Sequence, residues 1–112
     1  MKKLLFICTA NKLRSLTAEH IFNSDNRFEV KSAGTNAHAA TALSVELLNW
    51  ADYVLVMEKK HRNIIRAKFP QIYANKQIIC LYIPDIYEYM EEGLIAILQQ
   101  RINGLFGKLE NQ

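Results

Sequence analysis

The sequence predicts an α/β fold, a three-layer sandwich built about a four-stranded parallel sheet. Unbroken apolar runs recur at residues 4–7, 53–57 and 78–83, as expected of strands covered on both faces. Segments with apolar residues at three- and four-residue spacing lie between and after them. The two kinds alternate along the whole chain, the order that buries a parallel sheet between layers of helices.

The first strand is placed at residues 4–7, four consecutive large apolar side chains. A helix over residues 15–23 follows, with Ala18, Ile21 and Phe22 on one face. Residues 28–31 alternate and read as a second, more exposed strand. A helix over residues 41–50 turns Val45, Leu47 and Leu48 toward a core, and the third strand follows it. Residues 58–68 form a helix with Ile64 and Ile65 on its apolar face, closed by Pro70. After the fourth strand, Leu94, Ile95, Leu98, Ile102 and Leu105 set a helical period over residues 91–106. Right-handed crossovers favour the flavodoxin-like sheet order 2-1-3-4. Such sheets bind ligands at the carboxyl ends of their strands, where the order reverses. That point falls just after strand one, at Cys8.

A chain of 112 residues suits one domain, residues 1–112, and is too short for two cores. Half the residues are hydrophobic and 22% are charged, which fits a globular chain rather than a disordered one. A net charge of +3 attracts anions mildly but is too small to argue for nucleic acid. The apolar run after Lys2 and Lys3 stops at Cys8, too soon for a secretory leader, and no run approaches the length of a membrane span. Cys8 and Cys80 offer neither a disulfide framework nor metal spacing. The expectation is a cytoplasmic protein with no membrane, nucleic-acid, metal or cofactor partner, its oligomeric state open.

Between the first strand and the first helix the chain reads Cys8, Thr9, Ala10, Asn11, Lys12, Leu13, Arg14, Ser15. Amide protons of a loop in this position converge on an anion, and the following helix adds its dipole. Residues 9–15 are therefore the predicted phosphate-binding loop, with Cys8 at its floor. Such surroundings favour the thiolate, the nucleophilic form of a cysteine. Arg14 can hold two phosphoryl oxygens with its planar fork. Ser15 is placed to donate a hydrogen bond to the sulfur, and Asn11 tolerates the left-handed backbone of a tight loop. Lys12 either attracts phosphate at the mouth or is an ordinary surface lysine. The plain alternative for Cys8, a small core residue at a strand end, leaves Asn11, Arg14 and Ser15 together unexplained.

These residues resemble the loop of the low-molecular-weight protein tyrosine phosphatase family, Cys-x-x-Asn-x-x-Arg-Ser, here Cys8, Asn11, Arg14 and Ser15. Ala18 and Glu19, the segment Ser32-Ala33-Gly34-Thr35, and residues 51–57 are similar to further family segments, so the resemblance covers most of the chain. It extends to a compact bacterial branch of the family and implies the phosphotyrosine phosphatase I-like fold. The resemblance implies that Asn11, Ser15 and Ser32 support the loop from behind, with Ser32 hydrogen-bonded to Asn11. Departures are Ala10 in place of the usual glycine, Leu13 in place of a common second cysteine, and Leu16 in place of proline.

Displacing an alkoxide or phenoxide from phosphorus needs a proton donor. Asp85 is the candidate: it follows the fourth strand on the edge that carries Cys8, and it matches the family's catalytic aspartate by resemblance, although Pro84 precedes it rather than follows it. Tyr87 and Tyr89 form either an aromatic wall for a phosphotyrosine ring or the packing of a lid. His38 and Trp50 read as structural, and Cys80 as core.

The function expected is hydrolysis of phosphotyrosine, or of another aryl phosphate monoester, through a phospho-cysteine. Cys8, Arg14 and Asp85 are its catalytic residues, and a phosphorylated protein or small aryl phosphate its partner. Two alternatives stand beside it. A thiol-dependent arsenate reductase needs relay cysteines, and only Cys80 remains. A non-catalytic phosphate- or phosphoprotein-binding module is motivated by Ala10 and the context of Asp85. A phosphocarrier component of sugar transport has a similar fold but no use for Arg14.

Overall fold

The computed structural model describes residues 1–108. Its elements run β1 Lys2–Cys8, α1 Arg14–Phe22, β2 Phe28–Gly34, α2 Val45–Trp50, β3 Tyr53–Val56, α3 Lys59–Lys68, α4 Pro70–Asn75, β4 Gln77–Cys80 and α5 Glu92–Phe106. The four strands form one sheet in the order β2-β1-β3-β4, every pair parallel, as expected.

The apolar run of β1 is central, and its alternate residues serve two different cores. Leu4 and Phe6 face α1 and α5, packing with Ala18, Phe22, Leu94, Leu98 and Ile102. Leu5 and Ile7 face the opposite layer, with Leu48 of α2 and Ile65 of α3. All four β1 residues are fully buried, so no rotation of this strand is tolerated and its carboxyl end is fixed in space. Cys8 continues the Phe6 face. Cys80 packs on the other side of the sheet, among the core of α2 and α3.

Several boundaries differ from the sequence expectation, most by one or two residues. The helix placed at 41–50 begins only at Val45, because residues 41–43 extend β2 pairing instead. The Gly34 N–H donates to the Thr41 carbonyl at 2.8 Å, and the Leu43 N–H donates to the Gly34 carbonyl at 2.9 Å. Ser44 then caps α2 by accepting from the Leu47 N–H at 3.2 Å. Pro70 does end α3, but it also opens α4 as its first residue, where a missing N–H costs nothing. The second strand runs on to Gly34, three residues past its alternating part. The fourth ladder stops at Cys80. Leu81 and Ile83 still donate N–H bonds to the Val56 and Met57 carbonyls, both at 2.8 Å, around a left-handed Tyr82.

Gly34 is required by crowding rather than by its dihedrals. A Cβ there would lie 2.5 Å from the Thr9 carbonyl oxygen and 2.6 Å from the Ala39 Cβ. The end of β2 thus lies directly against the loop that follows β1, and the Thr35 and Asn36 N–H groups donate to the Cys8 and Thr9 carbonyls at 2.9 and 3.0 Å.

Candidate active site

The carboxyl edge of the sheet gathers three segments: the loop after β1, the start of α3 after β3, and the stretch after β4. A cavity of about 260 Å³ opens there, lined by Cys8, Thr9, Ala10, Lys12, Leu13, Arg14 and Asp85. Cys8 is nearly buried at 3% exposure and makes no disulfide with Cys80.

Behind the loop, a chain of hydrogen bonds has its direction set from the far end. Ser32 Oγ donates to the Glu19 carboxylate. It therefore accepts from Asn11 Nδ2, at 2.9 Å. The same nitrogen donates its second proton to Ser15 Oγ, also at 2.9 Å. Ser15 has then accepted, and its own hydroxyl proton is turned to Cys8 Sγ, 2.9 Å away. A flipped Asn11 amide would call both serine protons onto its oxygen and take one away from the sulfur. Asn11 itself holds φ +56°, the left-handed conformation it was expected to supply. Ala10 is not among the residues with positive φ, so the absent glycine costs this loop no backbone strain.

Arg14 is 2% exposed and is held from behind. Its Nη1 donates to Glu58 Oε1 and to the Ile83 carbonyl, each at 2.8 Å. The Nε edge is turned toward Asp85, with Nε 3.7 Å from Oδ1. The guanidinium therefore presents one edge to the cavity while the other is tied to the segments that follow β3 and β4. The bond from Arg14 holds the Glu58 carboxyl below the usual glutamate range, against the opposing effect of burial.

His61 closes the wall behind Thr9. Its Nδ1 accepts the Glu58 N–H at 3.0 Å, so in the neutral ring Nε2 carries the hydrogen and donates to Thr9 Oγ1 at 3.0 Å. Burial first, and the charge of Arg14 second, push the ring down from 6.5 to about 4. The folded state thus binds this proton less readily than the unfolded chain. Its contribution to stability is complete above pH 6.5 and is lost as pH falls from there through about 4. Between pH 7.5 and pH 5 the loss expected from this ring is about 2 kcal/mol. Denaturant titrations of wild type and His61→Gln at both pH values check it. Equal pH dependence in the two proteins would show that the ring carries none of it.

Of the residues singled out from the sequence, Cys8, Thr9, Ala10, Lys12, Leu13, Arg14 and Asp85 meet at the cavity. Asn11, Ser15 and Ser32 stand behind it as a bonded chain. Asp85 has a side chain 59% exposed at the cavity rim. Tyr87 and Tyr89 lie elsewhere. The Tyr87 ring packs against the core beside Gly93, and the Tyr89 hydroxyl pairs with His20 Nδ1 on α1. Glu58 and His61 were not singled out for the site. Their signal was topological: β3 lies beside β1, so the residues just past the third apolar run share an edge with Cys8.

The family profile described as low molecular weight phosphotyrosine protein phosphatase matches residues 3–46. A curated protein-arginine-phosphatase of Geobacillus stearothermophilus is 29% identical over 93 residues, covering 62% of this chain. The match spans 63% of that relative's length. Among solved structures, a low molecular weight protein tyrosine phosphatase from Streptococcus pyogenes superposes with a TM-score of 0.79 at 16% identity, over 100% of this chain and 95% of that one. One from T. tengcongensis superposes with a TM-score of 0.69 at 25% identity, over 93% of this chain and 99% of that one. With the profile match over residues 3–46 and the shared fold over nearly the whole chain, the protein is similar to the low-molecular-weight protein tyrosine phosphatases.

Proposed function

We propose that this protein is a cysteine-dependent phosphatase acting on phosphotyrosine or a related aryl phosphate monoester. The observation that carries this reading is the meeting of Cys8 Sγ, the open edge of Arg14 and the Asp85 carboxyl at one cavity.

The Cys8 thiolate attacks phosphorus and the bond from phosphorus to the ester oxygen breaks. Arg14 and the loop amides hold the equatorial oxygens as charge spreads over them. Asp85 gives its proton to the leaving oxygen, and a phospho-cysteine remains. In the second step the Asp85 carboxylate takes a proton from water, whose oxygen attacks phosphorus. The S–P bond breaks, inorganic phosphate leaves, and the Ser15 hydroxyl stabilises the departing thiolate. Arg14 and backbone amides supply the positive potential, so no metal ion is invoked. The need for a reduced sulfur supports a reducing, cytoplasmic compartment.

Cys80 lies on the opposite face of the sheet from Cys8, which speaks against a disulfide relay and so against arsenate reduction. The unstrained Ala10 removes one motive for a non-catalytic binding module. A second substrate reading, phosphoarginine in proteins, is motivated by the Geobacillus relative. Its P–N bond is cleaved by the same attack, with Asp85 protonating nitrogen. Rates on matched phosphotyrosyl and phosphoarginyl peptides separate the two.

The acid role has its own signature. Asp85→Asn is expected to lower kcat roughly 10²- to 10³-fold on a phenyl phosphate, and far less on an aryl phosphate whose leaving group needs no proton. A uniform loss across leaving groups would move the acid elsewhere.

A further inference from the structure

Asp85 stands in a stretch without helix or strand, residues 81–91, between β4 and α5. Its side chain is 59% exposed, so its own packing does not fix it. A catalytic group acts well only when held within roughly 0.5 Å of its working position, and its neighbours must do the holding. On the upstream side, Ile83 is fully buried. Its N–H donates to the Met57 carbonyl and its carbonyl accepts from Arg14 Nη1, each at 2.8 Å. Pro84, Asp85 and Ile86 are then exposed, and the next side chain to turn inward is Tyr87. Its ring packs against the core that α5 shares with α1, over Gly93 at the start of α5. A Cβ at position 93 would lie 3.1 Å from Tyr87 Cε1, so the glycine makes room for the ring.

A second fastening follows. The Met90 N–H donates to Thr17 Oγ1 at 3.0 Å, with Met90 at φ +60°, and the Tyr89 hydroxyl pairs with His20 Nδ1. Thr17 is fully buried in the first turn of α1, three residues after Arg14. The stretch is thereby tied to the helix whose amino end carries Arg14 and Ser15. The chemistry described above uses neither Tyr87 nor Thr17.

We infer that Tyr87 and Thr17 are positioning residues for proton transfer, which fasten the downstream side of this stretch and so hold the Asp85 carboxyl at the cavity above Cys8. This deepens the phosphatase reading and rests on Asp85 as its acid. The catalytic cavity is lined by other residues, so the Tyr87 ring acts through Asp85 and not on the substrate. The carbons of the ring make the contact with Gly93, so the ring matters and its hydroxyl does not. A ring that only supports the fold affects all substrates alike. One that places the acid affects those whose leaving oxygen needs a proton.

The test is kcat/KM on phenyl phosphate and on an aryl phosphate whose leaving group needs no proton. It compares wild type, Tyr87→Phe, Tyr87→Ala, Thr17→Val, Asp85→Asn and the double variant Tyr87→Ala with Asp85→Asn. Tyr87→Ala is expected to lose roughly 10- to 100-fold on phenyl phosphate and less than about threefold on the other ester. Tyr87→Phe is expected to stay within about twofold of wild type on both. Thr17→Val keeps the buried shape and removes the acceptor for Met90. It is expected to lose about fivefold on phenyl phosphate alone. The double variant is expected to stay within about threefold of Asp85→Asn, because a misplaced acid and a missing one are the same defect. No loss in Tyr87→Ala and Thr17→Val, equal loss on both esters, or full additivity with Asp85→Asn overturns the inference and leaves Asp85 as the acid. If Asp85→Asn shows no dependence on the leaving group, the acid reading fails and this inference falls with it. Should Tyr87→Ala not fold, Thr17→Val decides by the same two esters.

Discussion

Cys8→Ser is expected to lower kcat on an aryl phosphate by roughly 10⁴- to 10⁶-fold, the scale seen when a nucleophile acting within a catalytic unit is removed. The fold has little reason to change. Position 8 is 3% exposed, and a serine oxygen there keeps a partner in Ser15 Oγ. The expected stability cost is about 1 kcal/mol. The pairing of large kinetic loss with small stability loss separates a nucleophile from a core cysteine. A core cysteine would give the reverse: retained turnover and a lowered melting temperature.

Arg14→Lys is expected to cost roughly 10³-fold in kcat despite conserving the charge. The guanidinium serves two sides at once. Nη1 is committed to Glu58 and the Ile83 carbonyl, while the Nε edge faces Asp85 and the cavity. An ammonium is a point donor and reaches one side or the other. Pulled back to Glu58, it leaves the phosphoryl oxygens without their bidentate partner. Pulled forward, it leaves the Ile83 carbonyl and Glu58 unpaired. Inorganic phosphate, titrated as an inhibitor, is expected to bind more weakly to the same variant. Full activity in Arg14→Lys would mean that a fork is not what the chemistry needs.

The same arginine shows how far the sequence could be read. Its place at the cavity was legible, because a cysteine and an arginine six positions apart, set between a buried strand and a helix, imply an anion cradle. The left-handed Asn11 and the Ser32–Asn11 bond were legible for the same reason, as both are local chemistry or direct motif resemblance. The anchoring half was not. Glu58 is 44 residues from Arg14 in sequence, and only the lateral order β1-β3 brings them together. His61 was hidden likewise, since a lone histidine in the first turn of an amphipathic helix carries no sign of the loop it will meet. Pro70 marks a stop in the sequence, yet a proline that ends one helix can also begin the next. Residues 41–43 carry helical spacing, and tertiary pairing with the end of β2 overrides it. Tyr87 and Tyr89 were placed by proximity to Asp85 in sequence. Their partners, the core beside α5 and His20 of α1, belong to other parts of the chain.

The claim beneath all of this is that the sulfur of Cys8 itself takes the phosphoryl group. Rapid acid quench of Asp85→Asn turning over an aryl phosphate, followed by mass analysis of the peptide containing residue 8, tests it directly. The account predicts one added phosphoryl group on Cys8 within the first turnover, absent from Cys8→Ser under the same conditions. Product released by an unmodified Cys8, or a phosphoryl group trapped on a different side chain, would contradict it.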